Sequence, residues 1–349
     1  MAGTSSSGRT ADAVPVLDAT IDDLDGDAVG ALLRRVRERA PRTFERLDDE
    51  AVLRRLRVLV AGPRHGTVPT VAGLLALGSR PQHFLPEAGL TLVVYPGISA
   101  TDRAAGDPTS HSFLGPVPAQ AAAAVATAVA NLPARSPDEG SDLPAAVLRE
   151  VVTNALLHRD YTPDITATPQ ARRVLVAIYA RHVTVISPGG LVPPVTAADL
   201  ADDSARRMPV AARNPVLAKL LAQVEAPDAD RPVCVNRGTG IPMVQRELAA
   251  RDLNRAEFHH HPDWFTVILH RPHRTGRVER RAALEMIRSA LASGGTLSRW
   301  AIEEATGLNR GTVLNHLNYL IGNDEVESVN NGTSRQRLYR LTGRSRPPR

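Results

Sequence analysis

"LREVVTNALLHRDYTP", residues 148–163, decides how the rest of the chain is read. As a helix it puts Glu150, Asn154 and His158 four residues apart on one face, while Val151, Val152, Ala155 and Leu156 fill the flanks. An acid, an amide and an imidazole in one line on an apolar helix have two readings. One is a buried polar network, in which Glu150 pairs with an arginine and Asn154 satisfies loop backbone groups. The other is a binding site, and the choice depends on what surrounds the helix.

Downstream, "RRVLVAIYA" (172–180) and "HVTVISPGG" (182–190) read as strands separated by little more than Arg181, which predicts a hairpin. "NPVLAKLLAQV" (214–224) reads as a helix with Asn214 as N-cap and Pro215 at its first position. "NRGTGIPMVQRELAARDL" (236–253) is a glycine turn opening a helix, and "DWFTVILHRP" (263–272) is a strand. The two glycine turns carry chemistry. The backbone amides of Gly238, Thr239 and Gly240 at a helix N-terminus favour an anion such as phosphate, and Arg237 adds charge. Ser187 to Gly190 ends a strand, where glycine lets a ligand approach the backbone. With these turns nearby, the site reading of the helix is preferred.

Upstream, the proline-bearing loop "ARSPDEGSDLP" (134–144) is the best domain boundary. Before it lie a helix in "GPVPAQAAAAVATAVANLP" (115–133), a helical region over 16–60, a short helix from Val71 to Leu77 stopped by Gly78, and a buried-strand candidate, "LTLVVY" (90–95). These predict a disordered tail over 1–15, a small α+β connecting domain over 16–130 and a second domain of helices and strands over 144–272. The segment 278–342 reads as helix, helix, turn, helix and a two-stranded wing around the Asn-Gly of "NNGTS" (330–334), the order of a winged helix-turn-helix. Ile302, Ala305, Leu308, Val313, Leu317 and Leu320 would form its core. That leaves Asn309, Arg310, Thr312, Asn315 and His316 for a major groove, with Arg335 and Arg337 on the wing for the DNA backbone or minor groove. The fold class is therefore α+β and multidomain.

Composition sets the limits. The chain has 349 residues, 43% hydrophobic but only 3% aromatic, so its core is mainly Leu, Val, Ile and Ala. The formal net charge is +5 and the sequence pI about 9.9. A single lysine, Lys219, leaves no Gly-Lys-Ser/Thr phosphate loop, which excludes P-loop ATPases and helicases. Abundant arginine beside Ala, Val and Pro is what a high-GC genome produces, which weakens arginine content alone as a sign of nucleic acid. The one cysteine, Cys234, excludes intrachain disulfides and multi-cysteine zinc sites. The N-terminus has no apolar signal core, so the expected location is the cytoplasm. "HHH" (259–261) reads as a solvated loop rather than a metal site.

Four motifs in order, "LREVVTNALLHRDY", "VISPGGL", "RNPVLAKLL" and "NRGTGIPMV", resemble the histidine-kinase-type (GHKL) ATPase domain of RecG-related, Schlafen AlbA-type bacterial proteins. "TVAGLLALGSRPQHFLPEAGLTLVVY" (70–95) resembles the segment that precedes that domain in the same proteins. The resemblance implies a GHKL-like α/β sandwich over 144–272, with ATP and magnesium as cofactors. It implies Glu150 as the base that orients water and Asn154 as the magnesium ligand. His158, Asp160, Ser187, Gly189, Gly190, Arg237, Gly238, Thr239 and Gly240 would complete the nucleotide site. It also departs from the family in two places. Active members carry an aspartate that bonds the adenine amine where this chain has Ser187, an uncharged acceptor. Longer members carry an AlbA-type domain before the part seen here, and this chain begins near that domain's end. The reading that follows is a bacterial DNA-binding transcriptional regulator with a GHKL-like sensor, partnered by double-stranded DNA and a nucleotide, and acting as a homodimer. The alternatives are an ATPase in DNA- or RNA-linked stress or phage defence, and a non-catalytic protein-binding scaffold.

Overall fold

The computed structural model describes residues 10–63, 66–101, 106–136, 140–163, 172–201, 212–235, 238–271, 277–308, 310–329 and 337–342. The chain divides into two units after Pro272. The first begins with 3-10 turns at Ala11–Ala13 and Ile21–Asp23, then α1 (Gly26–Arg39), α2 (Pro41–Phe44) and α3 (Asp49–Arg55). A hairpin of β1 (Leu59–Ala61) and β2 (Thr67–Pro69) leads to α4 (Val71–Leu77), buried at every residue. Then come β3 (Leu90–Val94), β4 (Thr109–Phe113), α5 (Val117–Ala130), the small pair β5 (Ala134–Ser136) and β6 (Gly140–Ser141), and α6 (Ala145–Leu157). The unit closes with β7 (Val174–Ile178), β8 (His182–Pro188), α7 (Ala197–Ala201), α8 (Pro215–Leu221), the pair β9 (Glu225–Ala226) and β10 (Ala229–Pro232), α9 (Gly240–Ala249), β11 (Glu257–His260) and β12 (Trp264–His270).

Six of these strands form one mixed sheet in the order β11-β12-β8-β7-β3-β4, with β3 and β7 parallel and the other neighbours antiparallel. Burial alternates along β8, as a sheet with one covered face requires. Leu90, Leu92, Val174, Val176, Val183, Val185, Val267 and Leu269 supply the covered face, and α5 and α6 pack over it. Arg271, just after β12, donates to the buried Asp142 ahead of α6 at 2.8 and 2.9 Å and so ties the end of the unit to its middle.

Three expectations change here. The loop at 134–144 does not separate two domains. β3 and β4 lie in the same sheet as β7 and β8, and one hydrophobic core runs from Ala13 to Leu269. A polar loop cannot mark a boundary when backbone pairing crosses it. The tail predicted over 1–15 is folded from residue 10 onward; residues 1–9 lie outside the described residues. Asp12 is fully buried, and its Oδ2 accepts from the amides of Val216 and Leu217 at 2.7 and 2.9 Å. It therefore caps α8, the role expected of Asn214. Asn214 makes no side-chain cap bond, and its amide points elsewhere.

The second unit contains α10 (Arg277–Gly294), β13 (Leu297–Ser298), α11 (Arg299–Thr306), α12 (Arg310–Gly322), β14 (Val326–Ser328) and β15 (Leu338–Leu341). Its three strands pair antiparallel in the order β13-β15-β14. Ser298 caps α11 by accepting from the amide of Ala301 (3.2 Å), and Gly307 ends the helix at φ 68°. Leu284, Ile287, Leu291, Ile302, Val313, Leu317, Leu320, Val326 and Tyr339 form the core, with Leu308 packed against it. Ala305, expected in that core, is exposed. Thr306 is buried instead and spends its hydroxyl on the Ile302 carbonyl (2.6 Å).

The cap on α8 yields a test. Asp12→Ala should destabilise the protein by about 1 kcal/mol, the usual worth of such a cap, and Asp12→Asn should recover most of the loss. Urea unfolding followed by circular dichroism measures both; equal stability of Asp12→Ala and wild type would remove the cap from the account.

Candidate functional site

α6 buries Val147, Leu148, Val151, Val152, Ala155 and Leu156, which leaves its polar line at the edge of the packed face. Glu150 and Asn154 are half-buried and His158, at the C-cap, is exposed. The Asn154 amide donates to Glu150 Oε1 at 2.9 Å, which leaves the amide oxygen as the remaining acceptor. α9 begins directly over this pair. A β-carbon on Gly240 would lie 1.7 Å from Glu150 Oε1 and 3.3 Å from the Asn154 amide nitrogen, so only glycine fits. Gly238, two residues earlier, takes φ 68°, also a glycine conformation. Thr239 makes no side-chain cap bond. Pro242 has no N–H and the Met243 amide bonds the Thr239 carbonyl (3.1 Å), so the amides left without an intrahelical acceptor are those of Gly240 and Ile241, close to an acid and an amide. Arg237 lies outside the described residues.

Burial pushes the Glu150 carboxyl above its ordinary value, against the Asn154 hydrogen bond and the charge of Arg231. Arg231 sits on β10, is exposed, and makes no hydrogen bond among the described residues. An ion pair between Arg149 and Asp228 ties its hairpin to α6. Sequence reading missed Arg231, because it comes from a separate hairpin and belongs to no motif.

The other predicted residues mostly hold the end of α6. Ser187 is buried and donates to the Ala155 carbonyl at 2.7 Å, so its hydroxyl proton is committed to protein. Asp160 accepts from the Thr162 amide (2.9 Å) and faces Arg213 at 4.0 Å. Burial works against ionisation of Asp160, but the Thr162 bonds and the charges of Arg213 and Arg172 prevail and hold its pKa low. Gly189 (φ 89°) and Gly190 are crowded by the protein rather than left open to a ligand. A β-carbon would meet Asp160 Cβ at 2.7 Å in the first case and the His261 carbonyl at 2.3 Å in the second. The Gly189 and Gly190 amides donate to Asp263 and Pro262 in the β11–β12 turn. The expectation that these two glycines admit a ligand is thus replaced by close packing of that turn.

The histidine run lies on a strand and its turn, not on a loop. His260 Nδ1 accepts from the Leu191 amide (3.1 Å), His261 stacks on Trp264 (3.6 Å), and His259 faces Glu257. No group of three or more His, Cys, Asp or Glu among the described residues is placed to hold a metal ion.

In the second unit, Asn315 and Arg337 are exposed and Thr312 is half-buried. His316 is buried and its Nδ1 lies 2.7 Å from the Thr312 carbonyl, which removes it from the exposed set. It falls between Val313 and Leu320 on the core stripe, a position the helical period already specifies. Asn309, Arg335 and the Arg310 side chain lie outside the described residues.

Residues 171–269 match the family described as "Putative ATP-dependent DNA helicase recG C-terminal". The chain thus carries a RecG C-terminal-like, ATPase-like domain. The match spans both glycine turns and begins after α6. Residues 2–88 match a "Domain of unknown function (DUF8451)". No curated protein matches. Among solved structures, the DIP2311 protein from Corynebacterium diphtheriae is similar at 17% identity and a TM-score of 0.49, over 96% of this chain and 70% of that one. No helix is long and apolar enough to cross a membrane among the described residues.

A raised Glu150 pKa has a consequence for stability. The carboxyl is easier to protonate in the folded protein than in the unfolded chain. Folding stability therefore declines as pH rises from the ordinary value of 4.5 through the raised one. Glu150→Gln should flatten this decline and leave the variant the more stable protein at neutral pH. Melting temperatures measured across that range would show it; parallel curves for the two proteins would mean the carboxyl is not strained by burial.

Proposed function

We propose that this protein is a DNA-binding regulator whose ATPase-like domain senses a magnesium–nucleotide complex. The observation that carries the reading is the convergence of Glu150 and Asn154 on the glycine that opens α9. Hard oxygen ligands suit magnesium, and the Asn154 oxygen is the acceptor left after its amide is spent on Glu150. The Gly240 and Ile241 amides that open α9, Gly238 and Thr239 in the turn before it, and Arg231 beside Glu150 suit the phosphates. Bound magnesium would neutralise phosphate charge; the protein's part is to orient it through Asn154. Ser187, with its proton committed to Ala155, can only accept, which suits the exocyclic amine of adenine. His158 and Asp160 serve this site by fixing the end of α6.

Residues 278–342 read as a winged helix-turn-helix that binds double-stranded DNA. Support comes from charge. Residues 273–349 hold thirteen arginines and seven acidic residues, a net +6 against +5 for the whole chain. A genome-wide arginine bias would spread the excess; here the rest of the chain is slightly acidic. Duplex DNA is the polyanion such a module meets in a groove, and paired half-sites suit a homodimer. Nucleotide binding would act on DNA affinity only through a difference in affinity between two states.

A second reading, turnover of ATP, is favoured by the burial of Glu150, which brings a carboxyl toward the range of a general base. Calorimetric titration with a non-hydrolysable ATP analogue and magnesium tests the first reading. Wild type should bind, and Asn154→Ala should bind about 10- to 100-fold more weakly. No binding by either would make the polar line structural. Phosphate release separates the second: it should vanish in Glu150→Gln with binding kept, and equal release would deprive turnover of its base.

A further inference from the structure

We propose that α12 reads adenine at neighbouring base pairs through the side-chain amides of Asn315 and Asn318. The proposal rests on the DNA-binding reading above and adds to it a base preference and one residue, Asn318.

The exposed face of α12 follows from its buried one. Val313, His316, Leu317 and Leu320 turn toward the core, so Asn315, Asn318, Tyr319 and Gly322 turn away from it. Asn315 and Asn318 are both exposed, and neither amide makes a hydrogen bond among the described residues. This contrasts with Asn131, Asn214 and Asn323, whose amides are spent on backbone carbonyls. No acid occurs anywhere in α12, in a unit whose net charge is +6. Tyr319, 42% exposed, lies beside the amides, and Gly322 at the end of the face has open space where a side chain would stand. The face is polar, neutral and narrow, set in a basic unit: the charge draws a polyanion and the face itself presents paired donors and acceptors.

A primary amide offers one donor and one acceptor side by side. Among base edges in the major groove, adenine alone matches both with its N6 amine and N7, so asparagine pairs with it in bidentate fashion. Guanine offers two acceptors and would leave the amide oxygen unpaired. Two amides three residues apart are separated by about 4.5 Å along the helix, close to the rise between base pairs of about 3.4 Å. They therefore suit adjacent steps. His316 takes no part, since its ring is packed beneath the helix.

The test uses the full-length protein and a pool of random-sequence duplexes selected at low salt. Adenine should be enriched at two neighbouring positions. Replacing either A·T pair with G·C should weaken binding about 5- to 100-fold in fluorescence anisotropy. Substituting 7-deaza-adenine, which removes only N7, should weaken binding at the same position. Asn315→Ala should erase the preference at one position and Asn318→Ala at the other, with melting temperatures unchanged because both residues are exposed. Duplex binding with no adenine preference, or with the same preference in both variants, overturns this inference and leaves the DNA-binding reading standing. No duplex binding at any salt concentration overturns that reading and this inference together, and points to a protein partner for the same face.

Discussion

The last residues of α6, Ala155 to Leu157, are buried, so their carbonyls must find partners within the protein. A buried helix end must find partners elsewhere or lose stability. Four groups answer this demand here. Ser187 from β8 bonds the Ala155 carbonyl, the Tyr161 hydroxyl bonds that of Leu156 at 2.8 Å, the Asn214 amide bonds those of Leu157 and Arg159 at 2.6 and 2.8 Å, and the His158 amide bonds that of Asn154. Arg159 completes the arrangement. It is fully buried, donates to the carbonyls of Arg172 and Glu87, and lies 4.6 Å from the Tyr161 ring centre. Burial drives the Tyr161 hydroxyl up to about 12, so it remains a donor. The sheet, the segment before α8 and the loop before β3 are all anchored to one helix end.

This constraint explains why three of the four sequence motifs occur together. "HRDY", the serine of "SPGG" and the asparagine of "RNP" are spread over more than fifty residues of chain, yet they address successive carbonyls of one helix. It also fixes what they can do for a ligand. A serine whose proton is committed is an acceptor only. An aspartate held by Thr162 and faced by Arg213 is occupied. The freedom to act on a ligand is left to the first half of the line, Glu150 and Asn154, where the opposing element is a glycine rather than a side chain.

Local patterns were therefore legible and long-range partners were not. The helix from Val71 to Leu77, the hairpin around Arg181 and the α11 cap at Ser298 follow from apolar period and cap residues that lie within a few positions of one another. Asp12 capping α8 across more than two hundred residues has no such signal, and neither has the parallel pairing of β3 with β7. The boundary drawn at residues 134–144 failed for that reason: composition marks a loop, but only strand pairing decides whether the loop divides a core. In the candidate site, the stripe and the glycine turns were readable, whereas Arg231 was not, since its place beside Glu150 depends on a hairpin fold.

His316 shows the opposite error, in which the information was local and was outweighed by chemistry. A polar residue on a helix expected to meet DNA invites a role in the groove. Yet position 316 lies three residues after Val313 and four before Leu320, both on the core stripe, and burial follows from that period alone. The same arithmetic places Asn318 outward, although it carries no charge and belongs to no motif. Where residue type and helical phase disagree, phase decides which side chains reach a partner, and type decides only what they do there.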